Sequence, residues 1–233
     1  MKLPIVAILP AFNEAARIGP VVESCLRFVE KVVVVDDGSA DTTAGAAEAA
    51  GAVVVRHPEN CGKGAAIMTA FDTFGKETLP WLVLLDSDGQ HAPSDIPMLY
   101  DCAQRGDYDL VLGNRMRDTR KMPFVRLGTN RFMSWLISRI AGQDMPDTQC
   151  GFRLFSRRLL GALDLHLTTS HFDLESEILF QLAAAGHRIG SCPIKTIYEG
   201  GSSHINPVVD TVRFFRLVGR HLLHRESRPR DRQ

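Results

Sequence analysis

The stretch "LLDSDGQHAP" (residues 84–93) sets two carboxylates, Asp86 and Asp88, one residue apart directly after the apolar run from Trp81 to Leu85. On an extended segment they would point the same way. Hard oxygen ligands at that spacing suit Mg²⁺ or Mn²⁺ shared with a diphosphate, and such a cation would neutralise a departing nucleoside diphosphate. Gln90 and His91 stand close enough in sequence to complete a metal or phosphate environment, although His91 reads equally well as an ordinary surface-loop histidine. A polar turn in which Asp and Ser cap the next helix explains the same letters.

Other segments carry chemistry of the same kind. In "DDGSADTT" (36–43), Asp36 and Asp37 repel each other unless donors are near, and a nucleotide base or ribose offers such donors. The competing reading is a tight turn at Gly38 followed by an N-cap at Ser39 or Asp41. "NCGKGAA" (60–66) places glycines on either side of Lys63 at a helix start, where free amides and the helix dipole favour anions. It is not a Walker A loop. Asp173, Glu175 and Glu177 open a helix, a position that stabilises acids whether or not one of them is catalytic. Asp147, Arg153 and His204 read as site residues or as paired and solvated side chains, and Cys150 reads as core.

These residues need elements to position them. Runs such as "PIVAILPAF", "KVVVVDDGS", "AVVVRH" and "WLVLLD" alternate with helical segments, and strands that are continuously apolar predict a parallel sheet covered on both faces. In such sheets ligands bind beyond the carboxyl ends of the strands. Phe12-Asn13-Glu14, Asp36-Asp37 and Asp86-Ser87-Asp88 each follow a strand, so the three clusters should meet on one edge. The second half adds strands at 109–115 and 150–156, an amphipathic helix at 124–141, a helix at 173–186, a strand pair or meander in "RIGSCPIKTIY", and a C-terminal helix beginning near Pro207.

Composition bounds the reading. A chain of 233 residues, 45% hydrophobic and 23% charged, fits one α/β domain better than two, or than bulk disorder. Its zero net charge hides two basic blocks: 115–143 has seven Arg/Lys against Asp118, and 205–233 has seven Arg against three acids. Five cysteines without a CxxC pair argue against a zinc site or a disulfide framework and fit a reducing cytosol. With no signal pattern and no apolar run of about 18 residues, any membrane contact is expected to be peripheral. An RNA- or DNA-reading motif is absent, and the acidic clusters would repel a phosphate backbone, so no nucleic-acid partner is expected.

Taken together and in order, "PAFNE", "DDGSADTT", "NCGKGAA", "DSDGQH", "GNR", "DTQCGFRLFS", "FDLESEIL" and "GSSHINP" resemble the family-2 glycosyltransferases of GT-A fold, in the branch of the dolichyl-phosphate mannose synthases and glucosyltransferases. The resemblance implies a single GT-A domain, a mostly parallel mixed sheet with helices on both faces, over 1–204, followed by a basic amphipathic tail over 205–233. It implies that Pro10, Phe12, Glu14, Asp36 and Asp37 hold the nucleoside of a UDP- or GDP-sugar. It places Asp86, Asp88 and Gln90 on the metal, with Ser87 and Lys63 beside the nucleotide sugar. Arg115 and Arg126 match basic positions near the phosphates, with His204 on the same side. Asp147, Arg153 and Glu175 fall on the acceptor side and join Asp88 as catalytic candidates.

Two departures bear on mechanism. Tyr198 and His204 stand where the mannose synthase pattern has Arg and Lys, and Gly151 stands where related bacterial enzymes carry Asp. An alcohol acceptor needs a base to remove its proton, whereas a lipid monophosphate, with a second pKa of about 6, already presents an oxyanion. The expected reaction is therefore inverting transfer to a polyprenyl phosphate, at the inner face of a membrane. The alternatives are a saccharide acceptor or a non-catalytic nucleotide binder. Val208, Val212, Phe215, Val218 and Leu222, with Arg213, Arg216 and Arg220 elsewhere on the same helix, have the pattern of an interfacial helix.

Overall fold

The computed structural model describes residues 1–117, 119–120, 122–160 and 173–195. The proposed C-terminal helix, the 205–233 tail and His204 lie outside the described residues. Seven strands form one sheet in the order β3-β2-β1-β4-β6-β5-β7. They are β1 (Leu3–Ala11), β2 (Val29–Asp36), β3 (Val53–Arg56), β4 (Trp81–Leu84), β5 (Leu110–Asn114), β6 (Arg153–Ser156) and β7 (Ile189–Pro193). The helices are α1 (Ala15–Cys25), α2 (Thr43–Ala49), α3 (Lys63–Lys76), α4 (Ile96–Gly106), α5 (Phe124–Ala141) and α6 (Asp173–Ala184).

The apolar runs became strands because both faces of the sheet are covered. Within β1, Val6 and Ile8 face a core containing Phe71 and Phe74 of α3, Ile137 of α5 and Ile178 of α6. Ile5, Ala7 and Leu9 face the opposite core with Ile18 and Val22 of α1 and Leu99 of α4. Phe71 meets Phe155 edge to face at 5.1 Å, a geometry in which ring edge and ring face attract. Strands β1 to β4 are mutually parallel where they pair; β6 runs antiparallel between β4 and β5. The mostly parallel mixed sheet is thus the expected one.

The antiparallel insertion positions the site. Its register pairs Leu84 with Arg153, and two further residues along the same register bring Gly151 opposite Asp86. The expected strand at 150–156 is shorter, Arg153–Ser156, although the Phe152 carbonyl still accepts from the Gly113 amide of β5 at 2.8 Å. In the last segment, the described residues form one strand, β7, parallel to β5.

Candidate active site

The three acidic clusters meet on the edge where β1, β2 and β4 end, as the topology requires. The first two are laced together by the chain itself. Asn13, in the left-handed region at φ 56°, donates its amide to Ser39 Oγ at 2.9 Å and accepts from the Ala40 amide at 2.9 Å. The Glu14 amide donates to Thr43 Oγ1 at 2.8 Å, and the Glu14 carboxylate pairs with Arg17 at 3.0 Å. The helix cap differs from both expected residues. Thr42 occupies the N-cap of α2, while Asp41 accepts from the Thr43 hydroxyl and amide, which holds the Asp41 carboxyl below its ordinary range. Gly38 fulfils its turn role: at φ +70°, a Cβ there would come within 2.3 Å of the Glu59 backbone.

Asp36 and Asp37 are both buried, yet they are solved differently. Asp37 accepts from the amides of Cys61 (3.0 Å) and Gly62 (2.8 Å) and bonds His57 Nδ1 at 2.7 Å, with His57 Nε2 held by Thr69 at 2.8 Å. The protein's own carboxylate thus takes the amides of Cys61 and Gly62 just ahead of α3. Asp37, His57 and Cys61 also place one ligand atom each within 4.8 Å of one another, a grouping that the lack of a CxxC pair did not foretell. A cation there would have to displace hydrogen bonds already made. Asp36 accepts from the Ser39 amide at 3.0 Å, but its Oδ2, 3.3 Å from Arg56 Nε, is a buried acceptor with no hydrogen bond. Phe12, the residue after Ala11, which pairs with Asp36 across the sheet, is 45% exposed, and Pro10 is half-buried in β1.

At the end of β4 the chain does not stay extended: Asp86 to Gly89 form a turn, so the side chains of Asp86 and Asp88 are placed by the turn and not by strand alternation. Asp88 Oδ1 accepts from the Gln90 amide at 2.9 Å, and Ser87 is buried. Lys63 Nζ lies 2.8 Å from Asp86 and 3.0 Å from Glu175. Burial disfavours both charges, but the attraction of Asp86 and Glu175 outweighs it and raises the Lys63 pKa above its ordinary value. The same balance against Lys63, aided by His91, holds the Asp86 carboxyl well below the usual carboxylate range.

His91 corrects the surface-loop reading. It is 4% exposed, lies 3.7 Å from Asp86 and packs against Phe152 at 5.4 Å, with Nδ1 buried and unbonded. Gly151 is equally consequential, because a Cβ at that position would sit 2.5 Å from Asp86 Oδ2.

The acceptor-side candidates form the floor. Arg153, 1% exposed, donates to the carbonyls of Cys150, Thr148 and Glu175 and to the Glu175 carboxylate at 2.9 Å. Asp86, Lys63, Glu175 and Arg153 are thus a row of alternating charges. Arg115 is held by Asp147 through two parallel bonds of 2.8 and 2.9 Å, and the Asp147 carboxylate also takes the Arg115 amide at 3.0 Å. Both guanidinium groups are committed within the fold. Arg126 lies in the first turn of α5. Cys150 is core, its thiol pushed up to about 12 by burial.

Sequence reasoning missed His57, Cys61 and the steric role of Gly151, all of which act through partners distant in sequence. The nearest available signal was the glycine itself, in a strand-like segment, which often marks close approach of another group.

Comparison with known proteins agrees with this geometry. Residues 6–163 match glycosyl transferase family 2. An uncharacterized protein of Methanocaldococcus jannaschii is 31% identical over 201 residues, 84% of this chain and 83% of that one. The UDP-N-acetylglucosamine–dolichyl-phosphate N-acetylglucosaminyltransferase of Methanococcus voltae is 28% identical over 92% of this chain and 94% of its own. Among solved structures, the glucosyl-3-phosphoglycerate synthase of Mycobacterium tuberculosis, in complex with Mn²⁺, UDP and glucosyl-3-phosphoglycerate, shares the fold with a TM-score of 0.71 at 23% identity, covering 97% of this chain and 81% of that chain. An edge of strand-end carboxylates on a GT-A-like sheet, and a match over more than half of the sequence, lead to one conclusion: the chain belongs to glycosyl transferase family 2 and is a glycosyltransferase.

Proposed function

We propose that this enzyme moves a hexose from a nucleoside-diphosphate sugar, UDP- or GDP-linked, to a polyprenyl (dolichyl-type) phosphate, inverting the anomeric centre. The observation that carries the acceptor is the state of Glu175: both of its oxygens are in ion pairs, one with Lys63 and one with Arg153, and no acid stands at Gly151. A carboxylate so held is poorly placed to take a proton from an alcohol. A lipid monophosphate needs no such service at neutral pH. The Methanococcus voltae relative, named for a UDP-linked donor and a dolichyl-phosphate acceptor, supports the same reading.

Asp86, Asp88 and the Gln90 carbonyl would supply an all-oxygen donor set, which fits Mg²⁺ or Mn²⁺ better than a thiophilic ion, and the Asp86 side chain is 30% exposed and so accessible. When bound, the cation supplies positive charge to the leaving diphosphate. The neighbour crystallised with Mn²⁺ and UDP supports that assignment. Lys63 exchanges its carboxylate partners for donor phosphate, Arg153 fixes Glu175, and Arg115 with Asp147 fixes the loop on the acceptor side. Asp36, whose Oδ2 lacks a hydrogen bond, takes a donor from the nucleoside, with Asp37 holding its frame and Pro10, Phe12 and Glu14 lining the approach. On this reading the enzyme is cytoplasmic and peripheral to the inner face of a membrane.

The test is nucleoside diphosphate release from UDP- or GDP-sugars with Mn²⁺ and polyprenyl phosphate. Release that requires the lipid phosphate and stops with chelator is expected; release driven only by a saccharide acceptor would overturn the proposal.

A further inference from the structure

Helix α5 carries large apolar side chains on two faces: Ile137, with Met133, Leu136 and Ile140, packs on the core, and a second set points outward. At about 100° per residue, its exposed positions Phe124, Val125, Gly128, Arg131, Phe132, Trp135 and Arg139 fall within about a third of the circumference. Phe124 is 91% exposed, Val125 76%, Trp135 57% and Phe132 48%. A helix packed on its own domain is expected to keep its outer face polar. Trp135 also stacks near Phe132, with ring centroids 6.1 Å apart. Beside it, a groove of about 560 Å³ runs between α5 and the following loop, lined by Arg131, Arg139 and Trp135, with Asp144 the acid among its lining residues.

We propose that the outer face of α5 is the surface by which this enzyme docks on an anionic phospholipid bilayer. Phe124 and Val125 enter the acyl boundary, Trp135 sits at headgroup level, and Arg131 and Arg139 receive lipid phosphates in the groove. Charge complementarity selects this occupant: helix α5 carries Arg126, Arg131 and Arg139 and no acid, whereas apolar association with a second copy would bring two such basic surfaces together. The placement is also right. Strand β5 ends at the catalytic edge and leads into α5, and Ser134 is bonded to Thr148 (3.1 Å), on the segment that continues to Gly151. The inference rests on the lipid-phosphate reading above, which requires the enzyme to meet a membrane.

The two tryptophans make the test direct, because Trp81 is buried at 7% exposure and Trp135 is not. Vesicles of phosphatidylcholine containing phosphatidylglycerol should shift the full chain's tryptophan emission to the blue, and high salt should reverse the shift. Phosphatidylcholine alone should not produce it, nor should any vesicle with Trp135→Phe. The pair Phe124→Ser with Val125→Ser should weaken partitioning by about tenfold or more. Arg131→Gln and Arg139→Gln should each weaken it by about fivefold, all with unchanged thermal unfolding. Undiminished vesicle binding in these variants would overturn the proposal, as would sedimentation with vesicles without a Trp135 shift, or a blue shift that grows with protein concentration in the absence of lipid. Transfer to a short-chain polyprenyl phosphate in detergent separates the two ideas. It should survive in the Phe124→Ser/Val125→Ser variant, and its absence in the unaltered protein would count against the proposed reaction instead.

Discussion

Two acidic corners share one sheet edge and are built on opposite terms. At the end of β2, Asp37 is sealed into the fold by two backbone amides and His57, partners that cannot leave without opening the start of α3. At the end of β4, Asp86 is part-exposed and held by Lys63, a long side chain that also serves Glu175. A carboxylate bound by backbone is scaffolding; one bound by a side-chain cation can change partners. On the proposed function, the first corner gives shape and the second reaction.

Substitutions should separate the corners, beginning with the largest effect. Asp88→Ala should lower transfer by about 10³-fold, or about 4 kcal/mol of transition-state stabilisation, while denaturant unfolding changes little. Asp37→Ala should do the reverse, costing about 3 kcal/mol of stability because it strands two amides and His57 in a buried site. Equal stability losses at both corners would erase the distinction. Gly151→Ala should push Asp86 from its position and reduce transfer by about tenfold, read as kcat/KM together with weaker Mn²⁺ binding in calorimetry.

The smallest effect concerns pH. The folded Asp86 carboxyl lies below its unfolded value, so its contribution to stability is present above about pH 4 and is lost as pH falls through the folded value. The stability difference between the unaltered protein and Asp86→Asn should therefore be flat from about pH 5 to 9 and shrink only in stronger acid. A difference that varied near neutrality would mean that Lys63 does not hold Asp86 as described.

The parallel half was legible because strands buried on both faces read as unbroken apolar runs, and topology then carried Asp36, Asp37 and Asp86 to one edge. Helix α5 was readable in extent, Phe124–Ala141, but not in orientation: with Phe124 and Trp135 outward and Ile137 inward, apolar residues on both faces blur the pattern from which orientation is inferred. Gly151 was unreadable for another reason. Its role depends on β6 pairing antiparallel with β4, a register between segments about 70 residues apart that no local pattern encodes. The pairing of Arg115 with Asp147, 32 residues away, hid in the same manner.

The central claim is that the β4 corner transfers sugar to an acceptor already ionised, because Glu175 is occupied. It is tested most directly by comparing kcat/KM for a polyprenyl phosphate and for the polyprenol of the same chain length, with the same donor and Mn²⁺. The account predicts a preference for the phosphate of at least about 10²-fold, the scale on which general-base assistance acts. Equal use of the alcohol, or preference for it, would contradict the account.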